Sequence, residues 1–341
     1  TVGIAISASS QRRNNAVNIA SIGGWHTSAG NTNGGWSAVP INDDQVNRPT
    51  DAAANISIPQ SNAYRLSEYE SERVNGQLTL QWAPSDNFTA TVDYTYSEMD
   101  LDHTYSDMSA WYNLGDNTQT SSWDDGLIAS PIMYSEASGN SDFAMGTGQD
   151  GTSTENDSFG LNLEWQVTDQ LSLAVDYHNS GSEQGANSPN GTSSLVTMAS
   201  FNRVQTTTYF DQDLPVLHLG LNSGADGAAR PLYKADMIIT GSVFSNVASN
   251  MDVEQSRLIG KYDADDATTI DFGIELTEVT NRTTSKSVER GTWGGLSDPG
   301  YISDILVRSS MANSFDQVSG GSDARRQSEY FTTTLEQLVE L

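Results

Sequence analysis

Aromatic residues set among hydrogen-bonding residues are the most site-like feature of this sequence. Trp111, Tyr112 and Trp123 lie among Asn, Asp, Ser and Thr residues, outside the segments with regular hydrophobic alternation. Flat apolar rings beside polar groups suit a sugar ring or another amphipathic ligand. We therefore predict that these three residues contribute to a ligand-binding mouth. The alternative is that they only pack loops against each other, and both interpretations apply equally to the other loop tryptophans, Trp25, Trp36 and Trp293.

The remaining polar residues show no pattern that supports catalysis. The chain has no Cys, which excludes disulfides, thiolate metal sites and Cys nucleophiles. None of the four His residues has the spacing of a zinc site, and no nucleophile elbow or phosphate-binding glycine loop occurs. The acidic pairs Asp43–Asp44 and Asp124–Asp125 offer the oxygen ligands that calcium prefers, but solvated loop charges are the simpler explanation. We therefore predict no enzyme activity, no cofactor and no metal site.

Composition narrows the possible partners. The 44 Asp and Glu residues outnumber the 16 Lys and Arg residues and give a formal charge of −28. Nucleic acid is excluded as a partner because binding a phosphate backbone requires clustered cations. Hydrophobic residues make up only 36% of the chain. No apolar run approaches the roughly 18 residues of a membrane helix, which excludes a helical membrane protein.

The binding residues must be positioned by regular elements, and the clearest of these is a repeated pair of strands. The segment Gln77–Ser97 aligns without gaps with Gly160–Ser180, and a weaker third copy begins at Leu258. Each copy consists of a strand, a short polar turn and a second strand. The repeat predicts antiparallel hairpins with turns at 83–87, 167–170 and 263–267.

The strands of the repeated hairpins each have one apolar and one polar face. In the first copy the apolar face carries Phe88, Ala90, Val92, Tyr94 and Tyr96, and the polar face carries Thr89, Thr91, Asp93, Thr95 and Ser97. Carboxylates recur on the polar faces of the copies, at Asp93, Glu164, Asp176, Asp271 and Glu275. A water-filled interior keeps such groups solvated, whereas the dry core of a sandwich would make them costly.

The arrangement of turns and aromatics favours a membrane barrel. The predicted turns are short, whereas the connections at the other end, 105–155, 183–250 and 283–326, are long. Aromatic residues flank the short turns, at Trp82, Phe88, Trp165 and Tyr262. Short periplasmic turns, long extracellular loops and an aromatic girdle are typical of an antiparallel transmembrane β-barrel. We therefore predict an all-β barrel segment with about eight long strands, near 2–14, 60–82, 88–104, 156–167, 171–182, 250–262, 268–282 and 327–341.

Two other architectures fit the same alternation. One is a soluble β-sandwich, as in a secreted or surface carbohydrate-binding protein. The other is a complete small pore of eight strands. Both ends of the chain fall within alternating segments, so we expect an interior part of a longer protein. Such a part would have two unpaired edges and would form an open sheet instead of a closed tube.

Several segments resemble a known family. Asn75–Glu98, Thr268–Arg282, the DLPVL of Asp213–Leu217 and the opening VGIAISASSQRRNNAVN are similar to the barrel portion of TonB-dependent outer-membrane receptors, in particular the large group found in Xanthomonas- and Caulobacter-like proteobacteria. The resemblance implies that residues 1–341 form part of a barrel of about 22 strands, without its plug domain and C-terminal strands.

The resemblance also implies a function and a set of partners. The parent protein would carry out energised uptake of a scarce, bulky nutrient, such as a siderophore, a cobalamin or an oligosaccharide. Its partners would be the lipid bilayer of a Gram-negative outer membrane, a small-molecule nutrient at the extracellular loops, and the TonB complex, which it would contact through the plug.

Overall fold

Strands account for nearly all of the regular structure of this chain. The computed structural model describes residues 1–29, 43–51, 54–114, 118–222, 230–293 and 298–341. Thr is abundant in this chain and aromatic residues make up 9% of it, and both favour extended backbone. Among the described residues, no helix has the length and hydrophobicity needed to cross a membrane.

The bounds of the elements in this part of the chain are as follows. The strands are β1 (Val2–Ile22), β2 (Trp25–Ala29), β3 (Gln45–Val46), β4 (Asn55–Pro59), β5 (Ser61–Ser85), β6 (Phe88–Trp111), β7 (Thr118–Trp123), β8 (Ile128–Ala129), β9 (Pro131–Gln166), β10 (Leu171–Gly185), β11 (Ser193–Tyr209), β12 (Val216–Leu221), β13 (Met237–Asp265), β14 (Thr268–Arg290), β15 (Val307–Ser310) and β16 (Glu329–Thr332). The helical elements are a short 3-10 helix, Lys234–Asp236, and α1 (Leu335–Val339).

One large antiparallel meander organises these strands. Its order is β1, β5, β6, β9, β10, β13 and β14. Strand β11 continues the line of β10 after residues 186–192, because both pair with β9 on one side and β13 on the other. Strands β3, β7 and β12 extend this sheet, whereas β2, β4, β8 and β15, β16 form two small sheets. The three predicted hairpins, β5–β6, β9–β10 and β13–β14, are confirmed.

The sheet is open. Within the described residues β1 pairs only with β5, and β14 pairs only with β13. Closure into a barrel is therefore not observed. An open sheet is the arrangement expected of a part with two unpaired edges.

The prediction of long loops at the far end of the hairpins was wrong for two of the three segments. Most of 105–155 and 183–250 is strand, and β9 alone is 36 residues long. The alternation disappears there because neighbouring residues such as Tyr134, Ser135 and Glu136 are all buried. A strand that is covered on both faces has no reason to alternate between apolar and polar residues.

The predicted last strand, 327–341, was also wrong. Only Glu329–Thr332 is strand, and α1 follows it. The Thr334 side chain accepts a hydrogen bond from the backbone N–H of Gln337 at 3.3 Å, which is half of a capping box. Leu335 and Leu338 are buried together, three residues apart, as one face of a helix requires. The Thr-x-x-Gln signal was in the sequence, but the loose period of two concealed it.

The main core covers one surface of the sheet in its half remote from the short turns. Its floor is a row of cross-strand neighbours, Tyr64, Met108, Met145, Met198 and Ile239. Residues of the C-terminal segment 298–341 pack on this row, including Ile302, Phe315, Phe331, Leu335 and Leu338. A second cluster lies near the remote ends of the strands and contains Ile56, Ile58, Tyr112, Leu114, Trp123, Ala129 and Tyr134.

The helix at the C-terminus predicts a sharp difference between two adjacent residues. We expect Leu338→Ala to lower the free energy of unfolding by about 2–5 kcal/mol, because Leu338 is fully buried. Val339→Ala should change it by about 0.5 kcal/mol or less, because Val339 is 46% exposed. Denaturant titration of both variants checks this. A continuous strand would reverse the order, since Val339 would then share the face of Leu335.

Candidate functional site

The surface near the short turns carries a continuous apolar belt. Its central row consists of cross-strand neighbours on seven strands: Val2, Trp82, Ala90, Leu163, Val175, Leu258 and Ile274. The flanking rows add Ile4, Ile6, Leu78, Leu80, Phe88, Val92, Tyr94, Phe159, Leu161, Trp165, Leu171, Leu173, Tyr177, Tyr262, Ile270, Phe272 and Leu276. We call these residues the apolar belt.

No second layer from the described part of the chain covers the apolar belt. Trp82 is 54% exposed, Tyr94 43% and Ile274 71%. With a rise of about 3.4 Å per residue and a strand spacing of about 4.8 Å, the belt, which has at most four rows on any one strand, extends roughly 20 Å along a strand and roughly 29 Å across seven strands. That projected area, roughly 580 Å², lies at the upper end of the range for the largest apolar patch of a typical soluble monomer, about 300–600 Å², and patches of that size are often functional. The belt is therefore a candidate interaction surface.

Aromatic residues border the belt on both sides. Trp82 and Phe88 meet edge to face near the short turns, with ring centroids 6.2 Å apart. At the opposite border, the hydroxyl of Tyr177 donates a hydrogen bond to Glu254 at 3.2 Å. Tyr96 lies on the next row beyond Tyr94 and donates to Glu98 at 3.0 Å. Such residues suit a boundary where one side is apolar and the other is wet.

The opposite surface of the same strands is polar, as predicted. The Asn162 side-chain amide donates to Asp176 at 3.2 Å, and the Gln255 amide donates to Glu275 at 3.2 Å. The predicted carboxylates therefore share one surface with amides and hydroxyls.

The structure brings together two of the three residues predicted to bind a ligand, Tyr112 and Trp123, and leaves Trp111 apart from them. Trp111 and Tyr112 are adjacent; Trp111, at the end of β6, is 46% exposed, whereas Tyr112 is buried. Tyr112 and Trp123 both lie in the second cluster, where the Tyr112 ring meets the Tyr134 ring edge to face at 4.9 Å. The Trp123 indole donates to the Ser121 hydroxyl at 2.7 Å and stacks under the Arg48 guanidinium at 4.7 Å. Packing is the visible role of these two rings, and ligand contact stays a prediction.

Of the other loop tryptophans, Trp25 lies beside this cluster, because Phe210 packs against the cluster, and Trp293 packs against the main core. Trp25 contacts Phe210, with ring centroids 5.5 Å apart. The Trp293 indole donates to the Ser242 hydroxyl at 3.0 Å. Trp36 lies outside the described residues.

A buried ionic group supports the second cluster, and sequence reasoning missed it. The Glu136 carboxylate accepts the backbone N–H groups of Asn113 and Leu114 at 2.6 and 2.9 Å. These bonds hold Leu114 in the left-handed region, at φ 58°. The fully buried Arg203 guanidinium donates to the Asp142 carbonyl at 2.6 Å. Burial raises the pKa of Glu136, while the two N–H groups and Arg203 oppose the rise.

No family model, curated protein or solved structure matches this chain. The resemblance to TonB-dependent receptors therefore stays a prediction that depends on the segments quoted for it. In the part of the chain that the structure describes, no group of three His, Asp or Glu residues is placed to hold a metal ion.

Two tryptophan variants separate packing from ligand contact. Trp123→Ala should lower the free energy of unfolding by about 3–5 kcal/mol, because the indole is 1% exposed inside the second cluster. Trp111→Ala should cost much less, because nearly half of that residue is already in water. Thermal or denaturant unfolding measures both. Equal losses for the two variants would contradict the packing described here.

The pKa of Glu136 predicts a pH dependence of stability. Because this pKa is raised above its ordinary value of 4.5, the folded state holds the proton more tightly than the unfolded state. The contribution of Glu136 is therefore fully present below that value and is lost as pH rises through the folded-state pKa. The free energy of unfolding should fall more steeply with pH in the native chain than in Glu136→Gln. Identical pH slopes would show that this carboxyl is not perturbed.

Proposed function

We propose that this chain is part of the wall of an outer-membrane β-barrel receptor. In this proposal the apolar belt faces lipid and the opposite polar surface lines a water-filled interior. The observation that carries the proposal is the belt itself, which extends roughly 20 Å along the strands and is bordered by aromatics on both sides. Outer-membrane barrels have an apolar band about 25 Å tall between two aromatic girdles.

The lengths of the strands fit the same proposal. A strand needs about 9–11 residues to span a bilayer, whereas β6 has 24 residues and β9 has 36. The excess extends on the side away from the short turns, where both core clusters lie. This outer region would stand above the membrane and would be the part that meets a nutrient. Energised uptake through a plug and the TonB complex depends on the resemblance alone.

The runner-up function is a secreted or surface carbohydrate-binding β-protein. One observation favours it. The C-terminal segment packs an apolar core on the same surface of the sheet as the belt, in the half remote from the short turns, as a soluble domain would. In that case the belt would be covered by a further layer of protein instead of lipid.

A charge placed on either surface distinguishes these functions. Val175 lies in the central row of the belt and is 41% exposed, and Ala174 lies next to it on the polar surface. In a bilayer, Val175→Arg should destabilise the folded chain by about 2–4 kcal/mol, because Arg on the lipid face at the midplane loses its hydration. Ala174→Arg should be tolerated, because its neighbours include Glu164 on β9.

The measurement is the folded fraction that floats with phosphatidylcholine vesicles in a density gradient, across a denaturant series. Loss of that fraction in Val175→Arg, with retention in Ala174→Arg, supports a lipid-facing belt. A native chain that folds without lipid or detergent, and for which the two variants are equivalent, would overturn the proposal in favour of the runner-up.

A further inference from the structure

Two adjoining cavities lie beyond the belt on the same surface of the sheet. The first, of about 380 Å³, lies between the sheet and residues 330–336 of the C-terminal segment. The second, of about 410 Å³, continues from it toward β1. Glu68 and Thr104 line both cavities, so the two form one depression, which we call the outer groove.

Strand register places polar side chains in rows along the floor of the outer groove. Glu68, Thr104 and Gln149 are direct cross-strand neighbours on β5, β6 and β9. Asn14, Glu70 and Asp102 form the next row on β1, β5 and β6. Directly opposed side chains lie about 5 Å apart at Cβ, which is a suitable spacing for several bonds to one ligand.

The C-terminal segment forms a wall that is anchored to the sheet. The Ser106 and Tyr330 hydroxyls lie 3.2 Å apart, and the Thr147 hydroxyl donates to the Thr333 carbonyl at 3.2 Å. The wall is lined by residues 332–336, in which Thr333 and Leu335 are buried and the three threonine hydroxyls bond within the segment, to the Thr333 carbonyl and to Gln337.

The polar groups of the floor are available to a ligand. Within the described part of the chain, the side chains of Thr104, Gln149 and Asn14 have no hydrogen-bond partner, and neither do the carboxylates of Glu68 and Asp102. Amides and hydroxyls can both donate and accept, which matches a polyhydroxylated ligand.

The charge of the outer groove excludes anions. Four carboxylates line it, at Glu68, Glu70, Asp102 and Glu336, and among the described residues no Lys or Arg lines it. Glu70 and Asp102 are directly opposed, and like charges in that position destabilise a sheet. Arg12 pairs with Glu70 at one edge and leaves the other carboxylates unpaired. A cation in the groove would relieve this repulsion.

We propose that the outer groove binds a cationic, polyhydroxylated ligand of the amino-sugar class. Ammonium groups would pair with Glu68 and Asp102, and sugar hydroxyls would bond to Thr104 and Gln149. The described carboxylates are not placed to hold a metal ion, which favours an organic cation. The groove lies outside the polar surface, so this site is separate from any transport path and does not depend on membrane insertion.

Three trisaccharides of equal length test the proposal by isothermal titration of the full chain: glucosamine trisaccharide, its neutral N-acetylated form, and trigalacturonate. The glucosamine form should bind at least about tenfold more tightly than the neutral form, and added salt should weaken its binding because it screens the charges. Trigalacturonate should not bind. Equal affinity for the charged and neutral forms, or no binding of the charged form, overturns the proposal.

Variants locate the site. Glu68→Gln and Asp102→Asn should each weaken glucosamine trisaccharide binding by roughly tenfold, because each removes a charge-assisted hydrogen bond. Asp102→Asn should fold at least as well as the native chain, since it removes repulsion from Glu70. Glu164→Gln, on the polar surface, is the matched control and should leave affinity unchanged. Binding that survives both groove variants would place the ligand elsewhere and overturn the assignment, whatever the vesicle experiment shows.

Discussion

Cross-strand register is the constraint on which every surface of this protein depends. Successive side chains of a strand lie on opposite faces, so a shift of one residue would move the apolar residues of that strand to the other surface. Seven strands keep the same register, from Val2 on β1 to Ile274 on β14. The belt, the polar surface and the floor of the outer groove are all consequences of this one alignment.

The apolar residues on one surface of the sheet are buried in one half of its length and exposed in the other. In the half remote from the short turns, Tyr64, Met108 and Met145 are buried by the C-terminal segment. In the other half, Trp82 and Ile274 remain exposed. An exposed apolar area of this size needs a partner, and the two aromatic borders are what favour lipid over protein in that role.

Carboxylates are concentrated on the part of this surface that lies beyond the apolar belt. The belt residues are uncharged, but Glu254 and Glu278 continue the outermost belt row on β13 and β14. The rows beyond the belt carry more carboxylates, and neighbouring strands oppose Glu98 to Glu155 and Glu155 to Glu183. Such pairs reduce stability, and they place several carboxylates on one band of the surface. A surface of this kind repels anions and attracts cations, which is the physical basis for the ligand class proposed for the outer groove.

The hairpins could be predicted from the sequence because their strands have one wet face. Phe88 to Ser97 and Leu171 to Ser180 alternate cleanly, and alternation is a local property that needs no knowledge of the rest of the chain. Burial of both faces removed that signal from β11 and from the first half of β9, so these strands became visible only in the folded chain. The short helix at Leu335–Val339 and the positions of Tyr112 and Trp123 likewise depended on which segments met. The local order of residues thus determines which face of a strand is apolar and which is polar. Only the tertiary structure decides what covers each face, because burial depends on which segments pack together.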